Sequence, residues 1–160
     1  MTTLSDDYTA TLPRKRMGSA VLLRDGVDRI LLVEPTYKDY WELPGGVVDG
    51  DESPYNAAIR ELTEELSLSV TPGRLLVVDW VPPRLGRTDG VMFVYDGGLL
   101  DPARAAEIRL PADELRSWAW STPEEAERRL SPLLARRATA ALLALSQGRT
   151  QYLEDGNHVI

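Results

Sequence analysis

The 160-residue sequence contains no cysteine. Disulfides, thiolate metal sites and a cysteine nucleophile are therefore excluded, and the absence fits a reducing cytoplasm. Long apolar runs are missing as well: the longest stretches, such as residues 138–145, are far shorter than a membrane span requires. Residues 1–17 lack the apolar centre of a signal peptide. We therefore expect a cytoplasmic protein that has no membrane partner.

Positive charge is scarce, because 25 Asp and Glu residues outweigh 18 Lys and Arg residues and give a formal net charge of −7. Binding to a nucleic-acid backbone needs basic patches, so we expect no nucleic-acid partner. A small anionic substrate fits this composition if a bound cation or a local group of arginines neutralises it. The length suits one compact domain, and a homodimer is compatible with it.

Apolar patterns predict a mixed β-sheet between α-helices, in the α/β or α+β class. Helices are expected where Ser or Thr precedes Pro, because hydroxyl side chains cap helix N-termini and Pro suits the first helical position. We expect a flexible arm over residues 1–16, a single domain over residues 17–148 and a C-terminal tail over residues 149–160. The expected strands cover residues 17–24, 29–33, 41–43, 74–81, 91–95 and 118–120, and the expected helices begin at residues 53, 122 and 131.

The helix expected from Ser53-Pro54 to Leu66 carries Glu61, Glu64 and Glu65 beside its apolar, core-facing stripe. Like charges three or four residues apart destabilise a helix by roughly a few tenths of a kcal/mol per pair. A hard divalent cation such as Mg²⁺ removes this cost, because it binds oxygen ligands. A plain solvated acidic face is the alternative interpretation of such a cluster.

The surrounding spacing is more specific than the cluster. Gly46 is followed after five residues by Glu52 and after seven more by the run Arg60-Glu61-Leu62-Thr63-Glu64-Glu65-Leu66-Ser67-Leu68. This segment closely resembles the Nudix box, with Ser67 where the family has Gly. That Gly suits a left-handed helix end, which Ser adopts less readily. The preceding Trp41-Glu42-Leu43-Pro44-Gly45-Gly46 also resembles the family's approach to the box.

The resemblance implies a Nudix fold, with a mixed sheet sandwiched between helices, and an Mg²⁺-dependent hydrolase with Mn²⁺ as an alternative metal. It implies that Glu61, Glu64 and Glu65 bind metal and activate water. It also implies a backbone metal ligand at the Gly45 carbonyl, as in some members. The substrate class is a nucleoside diphosphate linked to another group X.

The resemblance also assigns supporting roles. Arg60 and Glu52 match a pair that braces the catalytic loop against the helix, so we place Arg60 with the catalytic residues. A carboxylate just before a helix start is favoured, and the planar fork of Arg60 suits it. Some members take their general base from a loop before a Trp-containing strand, where Glu114 stands here. Glu107 is the lesser candidate for that base, and for both residues an ordinary surface glutamate is the alternative.

Candidate substrate contacts lie outside the box. Trp41 and Trp80 could stack on a base, although aromatic side chains mostly belong to cores. Members that cleave ADP-ribose carry a Pro about fifteen residues beyond the box, and Pro83 occupies that position after Leu68. The Pro82-Pro83 step would aim Arg84 and Arg87 at a phosphate or ribose, or it would simply end the preceding strand.

Several functions stay open at this stage. We favour a nucleotide sugar of the ADP-ribose type as the substrate, with a nucleoside triphosphate as the runner-up. A catalytically silent nucleotide sensor is expected to have lost a box glutamate, and all are present. A Nudix-fold isopentenyl diphosphate isomerase implies an active-site Cys, which this sequence lacks. A structural domain with a solvated acidic helix does not explain the long-spaced motif.

Overall fold

The computed structural model describes residues 4–160, with side chains from residue 7 onward. Within that range, eight strands and five helices alternate along the chain, which confirms the expected fold class. The helices are α1 (Leu4–Thr11), α2 (Pro54–Leu66), α3 (Pro102–Ala105), α4 (Pro123–Arg129) and α5 (Pro132–Gln147). The strands are β1 (Arg16–Arg24), β2 (Ile30–Pro35), β3 (Gly45–Val47), β4 (Leu75–Val81), β5 (Gly90–Leu99), β6 (Leu115–Ser121), β7 (Gln151–Glu154) and β8 (Asn157–His158).

One mixed sheet holds all the strands in the order β6-β2-β1-β5-β4-β7-β8, with β3 beside β1. Strand β1 is central: it runs parallel to β5 along its whole length and antiparallel to β3 at Gly18–Ala20. The register of β1 with β2 is limited to Arg24 and Ile30, next to the turn. The first half of β1 is thus left free to hold β3, which carries the glycines of the box.

Alternate side chains of β1 enter two separate apolar cores. Val21 and Leu23 pack on the side of the sheet that α2 covers, with Leu62 and Leu66. Leu22 points to the opposite side, where the alanine-rich face of α5 packs. The period of two along β1 therefore places the acidic helix and α5 on opposite faces of one sheet.

The predicted helix starts are confirmed by their caps. The hydroxyls of Ser53, Thr122 and Ser131 each accept a backbone N–H of the first turn that follows. Ser67 ends α2 in the left-handed conformation, with φ of 57°, so Ser adopts the geometry that favours Gly. None of the helices within residues 4–160 is long and apolar enough to cross a membrane.

The structure adds a helix to the expected arm and moves one expected strand. Residues 4–11 of the arm form helix α1, which is exposed from residue 7 onward, and residues 1–3 lie outside the described range, so the flexibility of the arm stays a prediction. The strand expected at 41–43 consists of two isolated bridges, Glu42 with Val33 and Trp41 with Leu130, and the strand forms instead at Gly45–Val47. These glycines can form a strand because they are the residues that fit closely against β1.

The C-terminal segment expected to be a tail contributes β7 and β8. Strand β7 pairs in parallel with β4, and its Leu153 is fully buried. A strand of four residues with one buried apolar side chain is too short to produce a periodic signal. Its pairing depends on a partner more than seventy residues earlier, which the local pattern does not encode.

Candidate active site

The glycines of β3 allow the box helix to approach the sheet closely. A Cβ atom built on Gly46 would lie 2.3 Å from Glu61 Oε1, and one on Gly45 would lie 2.2 Å from the Ser19 carbonyl oxygen. Either side chain would displace backbone or the glutamate. Because Gly46 has no side chain, the Glu61 carboxylate can lie directly against the β3 backbone.

Glu65 is the deepest carboxylate of α2, with only 6% of its surface exposed. Its Oε1 accepts the Gly45 backbone N–H at 2.8 Å. Burial, together with the charges of Glu61, Glu42 and Glu114, raises the pKa of Glu65 to about 8 against the lowering effect of that hydrogen bond. Burial also raises the pKa of Glu61. These two carboxyls thus ionise reluctantly unless a cation joins them.

Arg60 holds the loop that precedes α2. Its Nε and Nη2 donate to the two carboxylate oxygens of Glu52 at 2.8 and 2.9 Å, and Nη2 also donates to the Val47 carbonyl at 2.9 Å. Its Nη1 donates to Glu61 and Glu64, both at 3.1 Å. The expected pair of Arg60 and Glu52 is therefore present. The bonds from Arg60 lower the pKa of Glu52 to about 2.

Glu64 differs from its neighbours in exposure. Its side chain is 54% exposed, whereas that of Glu61 is 13% exposed. Arg60 is its ion-pair partner. An exposed carboxylate on the last turn of a helix can rotate toward a ligand at little cost, because it leaves no buried group unpaired.

The glutamates line an open cleft of about 430 Å³. Six carboxylates border the cleft, and Glu114, in the turn before β6, stands among them. The carboxylates are Glu42, Asp49, Glu61, Glu64, Glu65 and Glu114. The remaining lining residues are Tyr37, Gly45, Gly46, Val47 and Leu115.

This donor set suits a hard divalent cation. Carboxylate and carbonyl oxygens are the ligands that Mg²⁺ and Mn²⁺ prefer. No three carboxylate or imidazole groups of residues 4–160 stand close enough together to hold a metal ion without moving. Because Glu65 is buried among other carboxylates and bound by a neutral N–H, the chemistry of the site fits a cation.

Five residues expected to contact substrate do not line this cleft. Trp41 packs on the opposite face of the sheet, where its ring lies 4.8 Å from the Arg129 guanidinium carbon. Trp80 donates its ring N–H to Asp89 at 2.9 Å. The other three, Pro83, Arg84 and Arg87, belong to the β4–β5 loop, residues 82–89. Glu107, the lesser base candidate, also lies outside the cleft.

The structure adds residues that the sequence analysis missed. Tyr37 and Glu42 border the cleft, and Lys38 is bonded to Glu42 four residues away. The Lys38 ammonium lies 5.5 Å from the ring centroids of both Tyr37 and Tyr40. The available signal was the opposite-charge spacing of Lys38 and Glu42, next to the motif.

Known proteins resemble this chain in sequence and in fold. The NUDIX domain profile matches residues 14–142. A "MutT-like protein" of Streptomyces ambofaciens is 27% identical over 144 residues, or 90% of this chain and 85% of the relative. The solved structure of a UDP-X diphosphatase has a TM-score of 0.70 at 19% identity, over 95% of this chain and 76% of that one.

A further relative matches over a shorter part of the chain. Diphosphoinositol polyphosphate phosphohydrolase 3-alpha of Mus musculus is 38% identical over 66 residues, which are 41% of this chain. The match spans about two fifths of that relative, 40% of its length. Nudix hydrolases use divalent metal ions and act on nucleotide derivatives. The profile covers most of the chain and the acidic cleft lies at its box, so the chain belongs to the NUDIX family and is a Nudix hydrolase.

Proposed function

We propose that the protein uses Mg²⁺ to hydrolyse the diphosphate of a nucleoside diphosphate linked to another group. One observation carries this proposal: Glu65 is buried among other carboxylates, and the hydrogen bond it accepts comes from a neutral backbone N–H. A buried carboxylate without a cation is costly. A divalent ion between Glu65 and Glu61 would remove that cost and place positive charge where a diphosphate binds.

The residues that would hold the ion are Glu61, Glu65 and Glu64, with the Gly45 carbonyl as a backbone ligand. When bound, a divalent ion neutralises the diphosphate and makes water more acidic. Arg60 acts by position: its five donor contacts tie Glu52, Val47, Glu61 and Glu64 into one unit. Phosphoryl chemistry depends on such fixed geometry more than on covalent catalysis.

Glu114 is the proposed general base. It stands across the cleft from α2, on a separate element, and its charge raises the pKa of both Glu61 and Glu65. A base must reach the water proton without being consumed as a metal ligand. Glu114 meets this requirement, because it is exposed on the turn before β6 and can move toward the attacking water.

The favoured substrate is a nucleotide sugar of the ADP-ribose type. Two points support this choice: Pro83 stands fifteen residues after Leu68, and the chain resembles the fold of a UDP-X diphosphatase. A nucleoside triphosphate is the second candidate, supported by the MutT-like relative. The products differ, since ADP-ribose yields AMP and ribose 5-phosphate, whereas a triphosphate yields a monophosphate and inorganic diphosphate.

A product assay with a defined panel of compounds tests both the metal-dependent hydrolysis and the choice of substrate. The purified protein is given ADP-ribose, other nucleotide sugars, common triphosphates, dinucleoside polyphosphates, NADH and coenzyme A with Mg²⁺ or Mn²⁺. We expect hydrolysis that EDTA abolishes and that favours ADP-ribose in kcat/KM. A preference of about tenfold or more for any triphosphate would reject the sugar assignment. Nucleotide binding without turnover of any compound would instead identify a sensor.

A further inference from the structure

The cleft and the β4–β5 loop lie at the same end of the sheet. Strand β1 begins there, pairing Arg16 with Gly90 at the start of β5, and β4 ends there at Val81. Because β2 runs opposite to β1, it also ends there, where Pro35 pairs with Leu115 next to Glu114. One continuous rim therefore joins the two regions.

This rim is divided by charge. Its acidic half is formed by the six cleft carboxylates described above. Its other half carries five cationic side chains, on the segment that leads into β1 and on the β4–β5 loop. We call these five residues the basic half: Arg14, Lys15, Arg16, Arg84 and Arg87. In a chain of net charge −7, such a group is a local exception.

The basic half keeps unneutralised charge. Lys15 is paired with Asp89, and Arg84 is paired with Asp155. Arg16 donates two N–H groups to the Thr88 carbonyl at 3.0 and 2.6 Å, which fixes its guanidinium but leaves its charge uncompensated. Within the part of the chain that the structure describes, the side chains of Arg14 and Arg87 make no hydrogen bond or ion pair.

The loop that carries Arg84 and Arg87 is tied to the buried interior. The Asp155 backbone N–H donates to the Trp80 carbonyl at 2.7 Å, and the Asp155 carboxylate holds Arg84. The next residue, Gly156, donates its N–H to the buried Asp79 at 2.9 Å. Because these groups are anchored in the core, the loop presents its arginines from a fixed base, and less ordering entropy is lost when an anion binds.

Apolar surface separates the two halves. Val21 faces α2, so Met17, four residues earlier in β1, faces the same side of the sheet. Val91 pairs with both Met17 and Trp80, and all three side chains are half-buried. The Arg16 side chain leaves β1 on the opposite face from Met17, and its guanidinium reaches the end of the sheet at the Thr88 carbonyl. Its backbone lies three residues from Ser19, the partner of Gly46, which is about 10 Å along the strand. A nucleoside is of suitable size for this interval.

From this arrangement we infer that the basic half is a second anion subsite, which binds a phosphate ester carried by the substrate outside the cleaved diphosphate. This inference rests on the proposed function, since the acidic half must hold the diphosphate through its cation. Arg16 and Arg87 are its principal ligands, because guanidinium forks match phosphate oxygens. Within the class proposed above, nucleoside diphosphates linked to another group, the subsite favours the members that carry such an ester.

Two matched substrate pairs test the inference. One pair is 2′-phospho-ADP-ribose and ADP-ribose, and the other is coenzyme A and dephospho-coenzyme A. In each pair the members differ by one phosphate ester on the adenosine ribose. We expect at least one pair to show a preference of about tenfold or more in kcat/KM for the phosphorylated member, mainly through KM, as a charge-assisted contact predicts.

The Arg16→Gln/Arg87→Gln variant should reduce that ratio to within about twofold of unity. The matched control is Arg149→Gln, an exposed arginine beyond α5 at the other end of the sheet, which should keep the wild-type ratio. Circular dichroism and thermal unfolding verify that both variants fold. Equal kcat/KM within both pairs, or an unchanged ratio in the double variant, overturns the subsite.

A binding measurement distinguishes a failure of the subsite from a failure of the proposed function. If none of the four compounds is hydrolysed, the wider substrate panel decides the proposed function, and calorimetric titration of the four compounds in Ca²⁺ decides the subsite. A tighter Kd for a phosphorylated member, lost in the double variant but not in Arg149→Gln, supports it. Equal Kd values within each pair reject it.

Discussion

Two buried carboxylates lie on opposite sides of the sheet and have opposite surroundings. Asp79, fully buried on the α5 side, accepts Arg137 Nε at 2.8 Å and the Gly156 N–H at 2.9 Å. Glu65, on the α2 side, accepts one backbone N–H and lies near Glu61. The chain thus supplies a cation for one buried carboxylate and more anions for the other.

The difference separates a structural charge from a functional one. A buried ion pair whose hydrogen bonds are satisfied within the chain needs nothing else. A buried carboxylate surrounded by like charges is stable only when it is protonated or when a cation arrives from outside. Burial of a carboxylate alone therefore does not indicate a functional site, whereas burial without a compensating cation does.

The largest expected effect is the loss of stability when the buried ion pair of Asp79 and Arg137 is broken. In Arg137→Met, Asp79 stays buried without its cation, so the free energy of unfolding should fall by about 3–5 kcal/mol. Urea unfolding measures this change. The Asp79→Asn/Arg137→Met variant serves as the control and should recover part of the loss, because no charge remains buried. A loss below about 1 kcal/mol in Arg137→Met would show that the pair is not structural.

On the functional side, Glu65→Gln should leave the fold intact and lower kcat by roughly 10²–10³-fold. The amide keeps the shape of the side chain but cannot provide the charge that holds a cation. Steady-state kinetics at saturating Mg²⁺ measure the change, with the exposed Glu127→Gln on α4 as the matched control. Activity within threefold of wild type would contradict the assignment.

Glu114→Gln tests whether Glu114, rather than a glutamate of α2, is the general base. If Glu114 takes the water proton, kcat should fall by about 10²-fold, the lower range for general-base catalysis. The concentration of Mg²⁺ that gives half-maximal activity should change little. An unchanged kcat and pH–rate profile would indicate that the general base is a glutamate of α2 instead.

Without metal, Glu65 should make stability depend on pH. Its pKa is about 8 in the native state, whereas the ordinary value is 4.5. Between these values the native protein holds a proton that the unfolded chain releases, so stability falls as pH rises. In EDTA, the wild type should lose on the order of 2 kcal/mol more than Glu65→Gln between pH 5 and pH 8. Parallel pH profiles of unfolding would contradict this.

The smallest expected effect concerns the departure from the box. Ser67 ends α2 with φ of 57° and donates its hydroxyl to the Arg109 carbonyl at 3.1 Å. In Ser67→Gly the strain of a left-handed residue is removed, while that exposed bond is lost and the unfolded chain gains freedom. The net change should be a stabilisation of about 0.5 kcal/mol, with activity unchanged. A loss of stability would show that the hydroxyl bond outweighs the strain.

Local signals predicted the box helix well. Ser53-Pro54 fixed the start of α2, and the carboxylate spacing identified the face that carries the chemistry. The sequence did not distinguish Glu65 from Glu64, which differ greatly in burial. That difference arises from the packing of α2 on β3, where two glycines let the helix approach.

Other features depended on contacts between distant residues. Strand β7 is defined by β4, and the charge-divided rim arises only when β1, β4 and β5 align their ends. The stacking of Trp41 or Trp80 on a base stays a prediction, and neither ring lines the acidic cleft. Trp41 belongs to the α5-side core, and Trp80 lies on β4, away from the acidic cleft.

The bond between Arg84 and Asp155 has a consequence for synthesis of the protein on the ribosome. Every residue of the acidic half lies between Glu42 and Glu114, so that half can assemble once β6 has emerged. The β4–β5 loop acquires its anchor only after residue 155 is released. Once residues 42–114 have left the ribosome the set of glutamates is complete, whereas the arginine loop stays unanchored until residue 155 has followed.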